Sequence, residues 1–268
     1  MKTVVITGST RGLGFEMAVC FRRYGWNVLV NGVNKERLEN AVGALKKQKG
    51  KGTVSGFCAS VSSPEEISAL ADFAKKQFGT VDIWINNAGI NQPLKAMWEL
   101  TDPEINALID TDLKGAVFGS KAAVRLMKSQ PRGGFIYNTE GYGSNDAMML
   151  GFNMYGTGKR AVTHFTSALA KELEERRSKV KAGRLSPGIV ITDFISNAMG
   201  GAEKIELSES TKKFYNVTAD YPDVVADFLV KSMIRNKKNN VHFQWLTTRK
   251  AAARFMTSVF RKRDFFSK

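Results

Sequence analysis

The chain has 268 residues, a hydrophobic content of 43% and six prolines, which indicates one folded domain with a substantial core and excludes a disordered chain. No apolar run approaches the roughly 18 residues of a membrane span, and the first predicted strand leaves no room for a signal peptide before it. We therefore expect a cytoplasmic protein. The net charge of +15 is uneven, because residues 231–268 contain eleven lysines and arginines against one acid.

The first strand is predicted at residues 4–6, which are apolar without alternation, as in a strand buried on both faces. A glycine-rich turn and a helix follow, with the sequence Thr7-Gly8-Ser9-Thr10-Arg11-Gly12-Leu13-Gly14. Glycines at these positions permit a tight turn, a close approach of backbone to phosphate, and packing of the helix on the strand. We interpret the turn as a pyrophosphate site at a helix N-terminus, rather than as an ordinary strand-to-helix connection.

Apolar runs alternate with helical patterns along the chain, which predicts an α/β fold with one doubly wound parallel sheet and helices on both faces. The strands are predicted at residues 4–6, 27–31, 53–58, 81–85, 134–138, 180–185 and 241–245. Capping boxes at residues 63–66 and 101–104 begin two helices, the second of which is predicted to run to about Lys128. We expect a single domain over residues 1–246 and a basic amphipathic tail over residues 247–268.

Tyr155 and Lys159 lie four residues apart and therefore share one face of a predicted helix. A phenol has a pKa of about 10, and a nearby ammonium stabilises the phenolate and moves that pKa toward neutrality. The pair therefore predicts proton transfer, with Tyr155 as the general acid when a carbonyl is reduced by hydride. The alternative is two ordinary side chains on a solvated helix, which the position after the fifth strand disfavours.

Together these motifs resemble the short-chain dehydrogenase/reductase family. The resemblance rests on Thr7-Gly8-x-x-x-Gly12-x-Gly14, Asn86-Asn87-Ala88-Gly89, Tyr155-x-x-x-Lys159 and Pro187-Gly188-x-x-x-Thr192. It implies a Rossmann domain with seven strands in the order 3-2-1-4-5-6-7, assembled as a homodimer or homotetramer. It also implies reversible hydride transfer between NAD(P)(H) and a carbonyl or alcohol, with Lys159 on the hydroxyls of the nicotinamide ribose.

The cofactor site predicted from the glycine turn and the family resemblance extends over six stretches of the chain. Its members are Gly8, Ser9, Thr10, Arg11, Gly12, Leu13, Gly14, Gly32, Lys35, Ser60, Val61, Asn87, Ala88, Gly89, Tyr155, Lys159, Pro187, Gly188, Val190 and Thr192. The resemblance implies that residues 87–89 lie beside the adenosine ribose and the nicotinamide side, and that residues 187–192 lie at the carboxamide.

The middle of the chain is more narrowly similar to the chlorophyll b reductase branch of the family. That branch has Asn-x-Asp/Glu-Gly-x-Gly-Ser where most of the family has Asn-x-Ser-Ser, and residues 138–144 are Asn-Thr-Glu-Gly-Tyr-Gly-Ser. Residues 242–247, His-Phe-Gln-Trp-Leu-Thr, are also similar to that branch. This resemblance implies reduction of the 7-formyl group of chlorophyll(ide) b.

Two predicted catalytic positions depart from the family pattern. The family's serine falls on Gly141, and Ser144 is the nearest hydroxyl, which is predicted either to bond the substrate oxygen or to bond its own loop backbone. The family's helix asparagine falls on Asp112, whose charge near Lys159 would favour the ammonium and raise the pKa of Tyr155. We therefore expect an alkaline-shifted oxidation profile, with reduction favoured at neutral pH.

NADP(H) is the predicted cofactor. NAD-specific members carry an acid at the end of the second strand, whereas this chain has Gly32 there, with Arg11 and Lys35 nearby. No acid would therefore repel a 2′-phosphate, although the arginine usual after that position is absent. The adenine-contacting aspartate expected after the third strand is Ser60, followed by Val61.

Methionine and aromatic residues on three pocket-forming loops predict an adaptable apolar wall for a bulky hydrophobic carbonyl, with core packing as the alternative for each of them. The predicted wall residues are Trp98, Tyr142, Met148, Met149, Phe194 and Met199. No metal site is predicted, because the two histidines, His164 and His242, have no metal-binding spacing.

The tail has apolar residues at helical spacing between positions 252 and 260, surrounded by basic residues. Such a helix suits an anionic membrane surface, so peripheral membrane contact is one prediction. Docking on the chain itself or on a second subunit is the alternative. Nucleic acid is not a predicted partner, because no recognised binding module accompanies the charge.

These features predict an NADPH-dependent carbonyl reductase that acts on a bulky hydrophobic small molecule. One alternative is a reductase of lipid-like or steroid-like ketones. Another is a nucleotide-sensing protein without catalysis, which the glycine at the family's serine position favours and the intact Tyr155 and Lys159 oppose.

Overall fold

A computed structural model gives the fold of residues 1–145, 147–192, 209–258 and 263–266. The strands are β1 (Thr3–Ile6), β2 (Asn27–Gly32), β3 (Val54–Cys58), β4 (Ile83–Asn86), β5 (Gly134–Thr139), β6 (Val180–Ser186) and β7 (Val241–Gln244). They form one sheet in the order β3-β2-β1-β4-β5-β6-β7, and every neighbouring pair is parallel. The predicted sheet and its strand order are confirmed.

Helices cover both faces of this sheet. Those in the described residues are α1 (Gly12–Arg23), α2 (Lys35–Lys47), α3 (Pro64–Phe78), α4 (Asp102–Leu108), α5 (Gly115–Met127), α6 (Asn153–Glu175), α7 (Glu209–Thr218), α8 (Pro222–Arg235) and α9 (Thr248–Thr257). One apolar core joins the sheet to α1, α2 and α8, and a second joins it to α3, α5 and α6. The doubly wound arrangement expected from the alternating pattern is therefore confirmed.

The first strand lies at the centre of both cores. Val4 and Ile6 belong to one core and Val5 to the other, and all three side chains are fully buried. An unbroken apolar run is therefore required, because each face of β1 is covered by helices.

The candidate functional site lies where the order of the strands in the sheet reverses, between β1 and β4. Strand β1 pairs with β2 on one side and with β4 on the other, so the chain crosses from one half of the sheet to the other between β3 and β4. The loops that follow β1 and β4 then run to opposite sides, which opens a crevice at the carboxyl ends of the strands.

One of the two predicted capping boxes is complete. The hydroxyl of Thr101 accepts from the Glu104 amide at 3.4 Å, and the Glu104 carboxylate accepts from the Thr101 amide at 2.8 Å. Ser63 accepts from the Glu66 amide at 3.1 Å, but the Glu66 carboxylate binds the amide of Ser60 instead. The prediction at residues 63–66 was therefore right about where the helix starts. It was wrong about the second bond of the capping box, from the Ser63 amide to the Glu66 carboxylate.

The long helix predicted from position 101 to about Lys128 is interrupted. Between α4 and α5, residues Ile109–Lys114 form a wider, π-helical turn that contains Asp112. The prediction of a continuous α-helix was wrong, because a periodic apolar pattern does not reveal one extra residue in a turn. Such turns occur often at functional sites, and here the turn places a carboxylate in the interior.

After β7 the tail folds back onto the body, where α9 packs against α7. None of the helices in the described parts of the chain has both the length and the apolar character needed to cross a bilayer. The division into a domain over residues 1–246 and a tail stays a prediction.

Candidate active site

A cavity of about 750 Å³ opens at the carboxyl ends of the strands. The predicted site residues that line it are Gly8, Thr10, Arg11, Gly12, Leu13, Gly14, Gly32, Ser60, Val61, Asn87, Ala88, Gly89, Tyr142, Met149, Tyr155, Lys159, Pro187, Gly188, Val190 and Thr192. Most of the residues singled out from the sequence are therefore brought to one cavity, although they come from six separate parts of the chain.

The glycine turn after β1 has no room for a side chain at Gly8 or at Gly14. Gly8 and Gly12 have φ angles of +59° and +57°, which L side chains rarely adopt. A Cβ on Gly8 would lie 2.6 Å from the Cα of Ala88, and a Cβ on Gly14 would lie 2.6 Å from the side-chain nitrogen Nδ2 of Asn87. These two glycines are required because the loop after β4 crosses directly against the turn.

Hydrogen bonds at Thr7 connect the glycine turn after β1 to the loop after β4. Its hydroxyl accepts from the backbone amides of Asn87 at 3.0 Å and Ala88 at 3.1 Å. The Asn87 side chain in turn donates to the carbonyls of Thr7 at 3.1 Å and Gly8 at 3.0 Å. Asn87 is thus a cross-link between β1 and β4 as well as a cavity residue.

Ser9 is a predicted cofactor residue, but it does not line the cavity. It stabilises the glycine turn through hydrogen bonds to backbone. Its side chain is fully buried; the hydroxyl donates to the Ile6 carbonyl at 2.6 Å and accepts from the Asn31 amide at 3.1 Å. A serine hydroxyl occupied on both sides by backbone is a structural group.

The part of the cavity lined by Gly32 and Asn34 also contains an arginine that the sequence analysis missed. Arg37 lines the cavity, whereas the predicted Lys35 is exposed and does not. The side chain of Asn34 caps α2 by accepting from the Arg37 amide at 2.8 Å, which places Arg37 in the first turn of a helix that starts at the cavity. Its position five residues after Gly32 was the available signal.

Tyr155 and Lys159 lie side by side on α6, as their spacing predicts. Both are nearly buried, and the Lys159 ammonium lies 5.4 Å from the centre of the Tyr155 ring. The Lys159 Nζ also lies 3.1 Å from Oδ2 of Asp112, whose other oxygen accepts from the Ile90 amide at 2.8 Å. The π-helical turn therefore supplies a carboxylate behind the predicted pair, although Asp112 itself does not line the cavity.

Burial and Asp112 shape the protonation of this group. Burial raises the pKa of Tyr155 to about 12; Lys159 opposes the rise and Asp112 adds to it. Burial is the largest influence on Lys159 and lowers its pKa, but Asp112 and Tyr155 together outweigh it, and the net direction is upward. Burial also raises the pKa of Asp112, against the influence of Lys159 and the Ile90 amide. The phenol of Tyr155 is therefore protonated at neutral pH.

Ser144 does not reach the cavity. Its hydroxyl accepts from the Gly141 amide at 3.1 Å and donates to the Lys159 carbonyl at 3.4 Å. Of the two roles that the sequence left open for Ser144, this geometry is that of a loop serine that bonds backbone. Gly141, at the family's serine position, does line the cavity.

Gln92 is a second residue that the sequence analysis missed. Its side chain is fully buried; Oε1 accepts from the Tyr155 amide at 3.0 Å, and Nε2 donates to the Gly151 carbonyl at 2.7 Å. Phe152 occupies the N-cap position of α6 and makes no side-chain hydrogen bond to the start of that helix. Gln92, which follows β4, therefore satisfies the start of the helix that carries Tyr155.

Glu140 is a buried acid that lines the same cavity as Tyr155 and Lys159. It bonds Thr163 at 2.9 Å and His242 at 2.8 Å, and an Arg184 nitrogen lies 3.7 Å away. These contacts tie the ends of β5, β6 and β7 together. Among the described residues no group of histidines, cysteines and acids has a metal-binding arrangement.

The other end of the cavity is apolar, with Tyr142 and Met149 from the predicted wall. Residues that the sequence analysis did not name complete it, namely Ile90, Leu94, Phe152, Phe214 and Tyr215. Trp98 and Met148 were predicted to belong to the apolar wall, and this prediction was wrong. Their side chains are 82% and 92% exposed and do not line the cavity. Phe194 and Met199 lie outside the described residues.

The described part of the tail contacts the chain itself. Arg254 and Arg263 pair with Asp220 at 2.7 and 2.6 Å, and the ring of Phe255 packs against that of Phe214 in a tilted arrangement. This is the docked arrangement that the sequence analysis gave as the alternative to membrane contact.

The sequence pattern of the short chain dehydrogenase family matches residues 2–200. The chain therefore belongs to this family, and it is an NAD(P)-dependent oxidoreductase.

Within the family, the chain is similar to two plant proteins. It is 36% identical over 262 residues to "Chlorophyll(ide) b reductase NOL, chloroplastic" of Oryza sativa subsp. japonica, covering 96% of this chain and 74% of that protein. It is 36% identical over 232 residues to the protein of the same name in Arabidopsis thaliana, covering 86% of this chain and 64% of that protein. The resemblance to the chlorophyll b reductase branch is confirmed.

A solved structure supports the fold. The crystal structure of levodione reductase matches with a TM-score of 0.83 at 22% sequence identity, over 94% of this chain and 98% of that chain.

Proposed function

We propose that this protein reduces a bulky hydrophobic aldehyde or ketone with NADPH, and that the 7-formyl group of chlorophyll(ide) b is its leading substrate. One observation carries the proposal: a single cavity contains the glycine turn, the pair Tyr155 and Lys159, and an apolar wall. A nucleotide, a proton donor and a hydrophobic carbonyl would therefore meet in one place.

The residues present fit a dinucleotide. Gly8 and Gly12, which have positive φ angles, line the cavity together with the first residues of α1, and a helix N-terminus at this place suits a pyrophosphate. Arg11 occupies the N-cap position of α1. A guanidinium carries only hydrogen-bond donors, so this side chain cannot cap the first amides of the helix, which can then bind a ligand. When bound, NADPH supplies the hydride.

Preference for NADPH over NADH is supported at the end of β2. A Cβ on Gly32 would lie 2.6 Å from the methyl group of Thr10, so the acid typical of NAD-specific members does not fit there without movement. Arg11 and Arg37 both line the cavity at this end. Two guanidinium groups and no carboxylate favour a 2′-phosphate.

Tyr155 transfers the proton. As the carbonyl carbon accepts hydride, negative charge develops on its oxygen, and the phenol donates its proton to that oxygen. Lys159 stabilises the phenolate that remains, and solvent returns the proton. The raised pKa of Tyr155 keeps the phenol protonated at neutral pH, which favours reduction over oxidation.

The substrate class follows from the wall and from the relatives. Tyr142, Met149, Phe152, Phe214 and Tyr215 provide aromatic and thioether surface for a large flat or polycyclic molecule. The names of the two plant relatives state a chlorophyll(ide) b reductase. A lipid-like or steroid-like ketone is the second candidate, because the same wall would accept it.

The proposal includes assembly as a homodimer or homotetramer, because members of this family are typically oligomeric. It also includes a small-molecule substrate, which is typical of the family. Peripheral membrane contact through the tail and a cytoplasmic location stay predictions. The plant relatives' names say that those proteins are chloroplastic.

The test is NADPH oxidation against a panel that contains chlorophyllide b, polycyclic aromatic aldehydes, steroid ketones and small aliphatic aldehydes. Tyr155→Phe is the control; it is expected to lower kcat by ~100-fold or more while NADPH still binds. If wild-type protein binds NADPH and oxidises it with none of these compounds, the proposal is wrong and the nucleotide-sensing alternative stands.

A further inference from the structure

Asp220 is a buried carboxylate that receives three donors. The Arg254 guanidinium lies 2.7 Å away, that of Arg263 2.6 Å away, and the Trp245 indole nitrogen 2.6 Å away. Burial opposes ionisation, but these contacts outweigh it and hold the pKa of Asp220 below its usual value. Both arginines belong to the tail, so a single acid ties the tail to the body.

The backbone of Asp220 is joined to a cavity wall. Its amide donates to the Ile189 carbonyl at 3.0 Å, and its carbonyl accepts from the Ile191 amide at 3.0 Å, which forms a parallel bridge with Val190. Ile189 and Val190 both line the cavity. The acid that the tail holds is therefore one hydrogen bond from the segment expected at the nicotinamide.

The same arginines hold the end of α7. Arg254 donates to the Thr218 carbonyl at 3.3 Å and Arg263 to the Val217 carbonyl at 3.5 Å. These carbonyls lie in the last turn of the helix, where the backbone leaves acceptors unsatisfied and the helix dipole favours cations. The tail therefore acts as the C-terminal cap of α7.

Aromatic rings of the tail pack on the residues of α7 that face the cavity. The rings of Phe255 and Phe214 have centres 6.3 Å apart, and so have those of Phe266 and Tyr215. Phe214 and Tyr215 line the apolar end of the cavity. Each of these two cavity residues is thus in contact with an aromatic ring of the tail.

We propose that Asp220, clamped by Arg254 and Arg263, is a specificity-determining positioning residue that fixes α7 as the wall against which a bulky substrate binds. The identity of the substrate rests on the proposed function, whereas the clamp does not. Removing one partner of a buried ion pair leaves the other charges uncompensated, so α7 would loosen at its C-terminal end. Large substrates that use the whole wall would lose affinity, and small ones would not.

The experiment compares Asp220→Asn with the matched control Asp227→Asn, which removes an exposed carboxylate paired with Lys231 on α8. Three quantities are measured: the NADPH dissociation constant, the KM values for 1-pyrenecarboxaldehyde and for propanal, and the binding of the pyrene aldehyde followed by its own fluorescence. We expect the ratio of the two KM values, large over small, to rise about fivefold in Asp220→Asn, with NADPH affinity and kcat for propanal unchanged. The control is expected to match wild type.

An unchanged ratio and unchanged pyrene binding would overturn the clamp, as would a loss of NADPH affinity in proportion to the loss of aldehyde affinity. If the wild type reduces neither aldehyde, the proposed function fails, and weaker pyrene binding by Asp220→Asn still supports the clamp. Arg263→Gln is the second variant, because Arg263 is a third exposed and its loss leaves Asp220 paired with Arg254. It is expected to shift the ratio in the same direction if Asp220→Asn does not fold.

Discussion

Gly141 lies so close to Tyr155 that a Cβ on residue 141 would overlap the phenol oxygen. The same atom would lie 3.0 Å from the Cζ of Tyr155 and 3.1 Å from the Cγ of Lys159. The family's serine and this placement of the phenol therefore exclude each other. The glycine is part of how Tyr155 is positioned, and it is not simply a lost catalytic hydroxyl.

Gly141→Ser is therefore expected to impair the enzyme, although it restores the family's residue. The new side chain would displace the phenol, and we expect kcat for an aldehyde to fall by about tenfold or more. The control is Gly43→Ser on α2, where a Cβ would meet nothing within 4 Å. Steady-state kinetics with both variants check this, and a Gly141→Ser enzyme as active as wild type would contradict it.

Asp112→Asn should shift the pH dependence of alcohol oxidation. Oxidation needs the phenolate of Tyr155, and the charge of Asp112 raises the pKa of that phenol. Removing the charge lowers the pKa, so the rise of oxidation rate with pH should move to lower pH by about one unit. The measurement is kcat against pH in the oxidative direction.

Asp110→Asn is the matched control for this shift, because Asp110 lies in the same π-helical turn but pairs with Lys114 at the surface. Its profile should coincide with that of wild type. A profile for Asp112→Asn that also coincides would show that Asp112 does not act on Tyr155.

Most of the fold could be predicted because each strand and turn carries its own local signal. The apolar run at residues 4–6, the glycine turn and the Tyr155–Lys159 spacing each depend on neighbours in sequence. Gln92 could not be predicted in the same way, since it acts on a helix 63 positions later. Trp98 and Met148 were misplaced for a related reason: composition suggests an apolar loop but not which way each side chain points.

Gln92→Ala should lower activity and stability together. The change leaves the Tyr155 amide and the Gly151 carbonyl without their buried partner, at a cost of about 1–3 kcal/mol. Because the start of α6 would then shift, we expect kcat to fall about fivefold or more with little change in the NADPH dissociation constant. Thermal unfolding and kinetics on the same sample measure both effects.

Gln130→Ala separates positioning from simple loss of stability. Gln130 also makes part-buried bonds to backbone, with Val81 at 2.9 Å and Gly133 at 2.7 Å, in the loops that precede β4 and β5. A comparable fall in the free energy of unfolding without a fall in kcat is expected. If both variants lose kcat equally, Gln92 has no special effect on Tyr155.

Arg37→Ala should weaken the preference for NADPH. Arg37 lines the part of the cavity that also contains Gly32 and Asn34, where a 2′-phosphate would receive a charge-assisted hydrogen bond. Loss of that bond is expected to raise KM for NADPH about tenfold and to leave KM for NADH within about twofold. Lys35→Ala removes a positive charge two residues earlier from an exposed side chain that does not line the cavity, so it serves as the control for general electrostatics. Equal effects of the two variants, or a wild type that prefers NADH, would show that Arg37 does not recognise the phosphate.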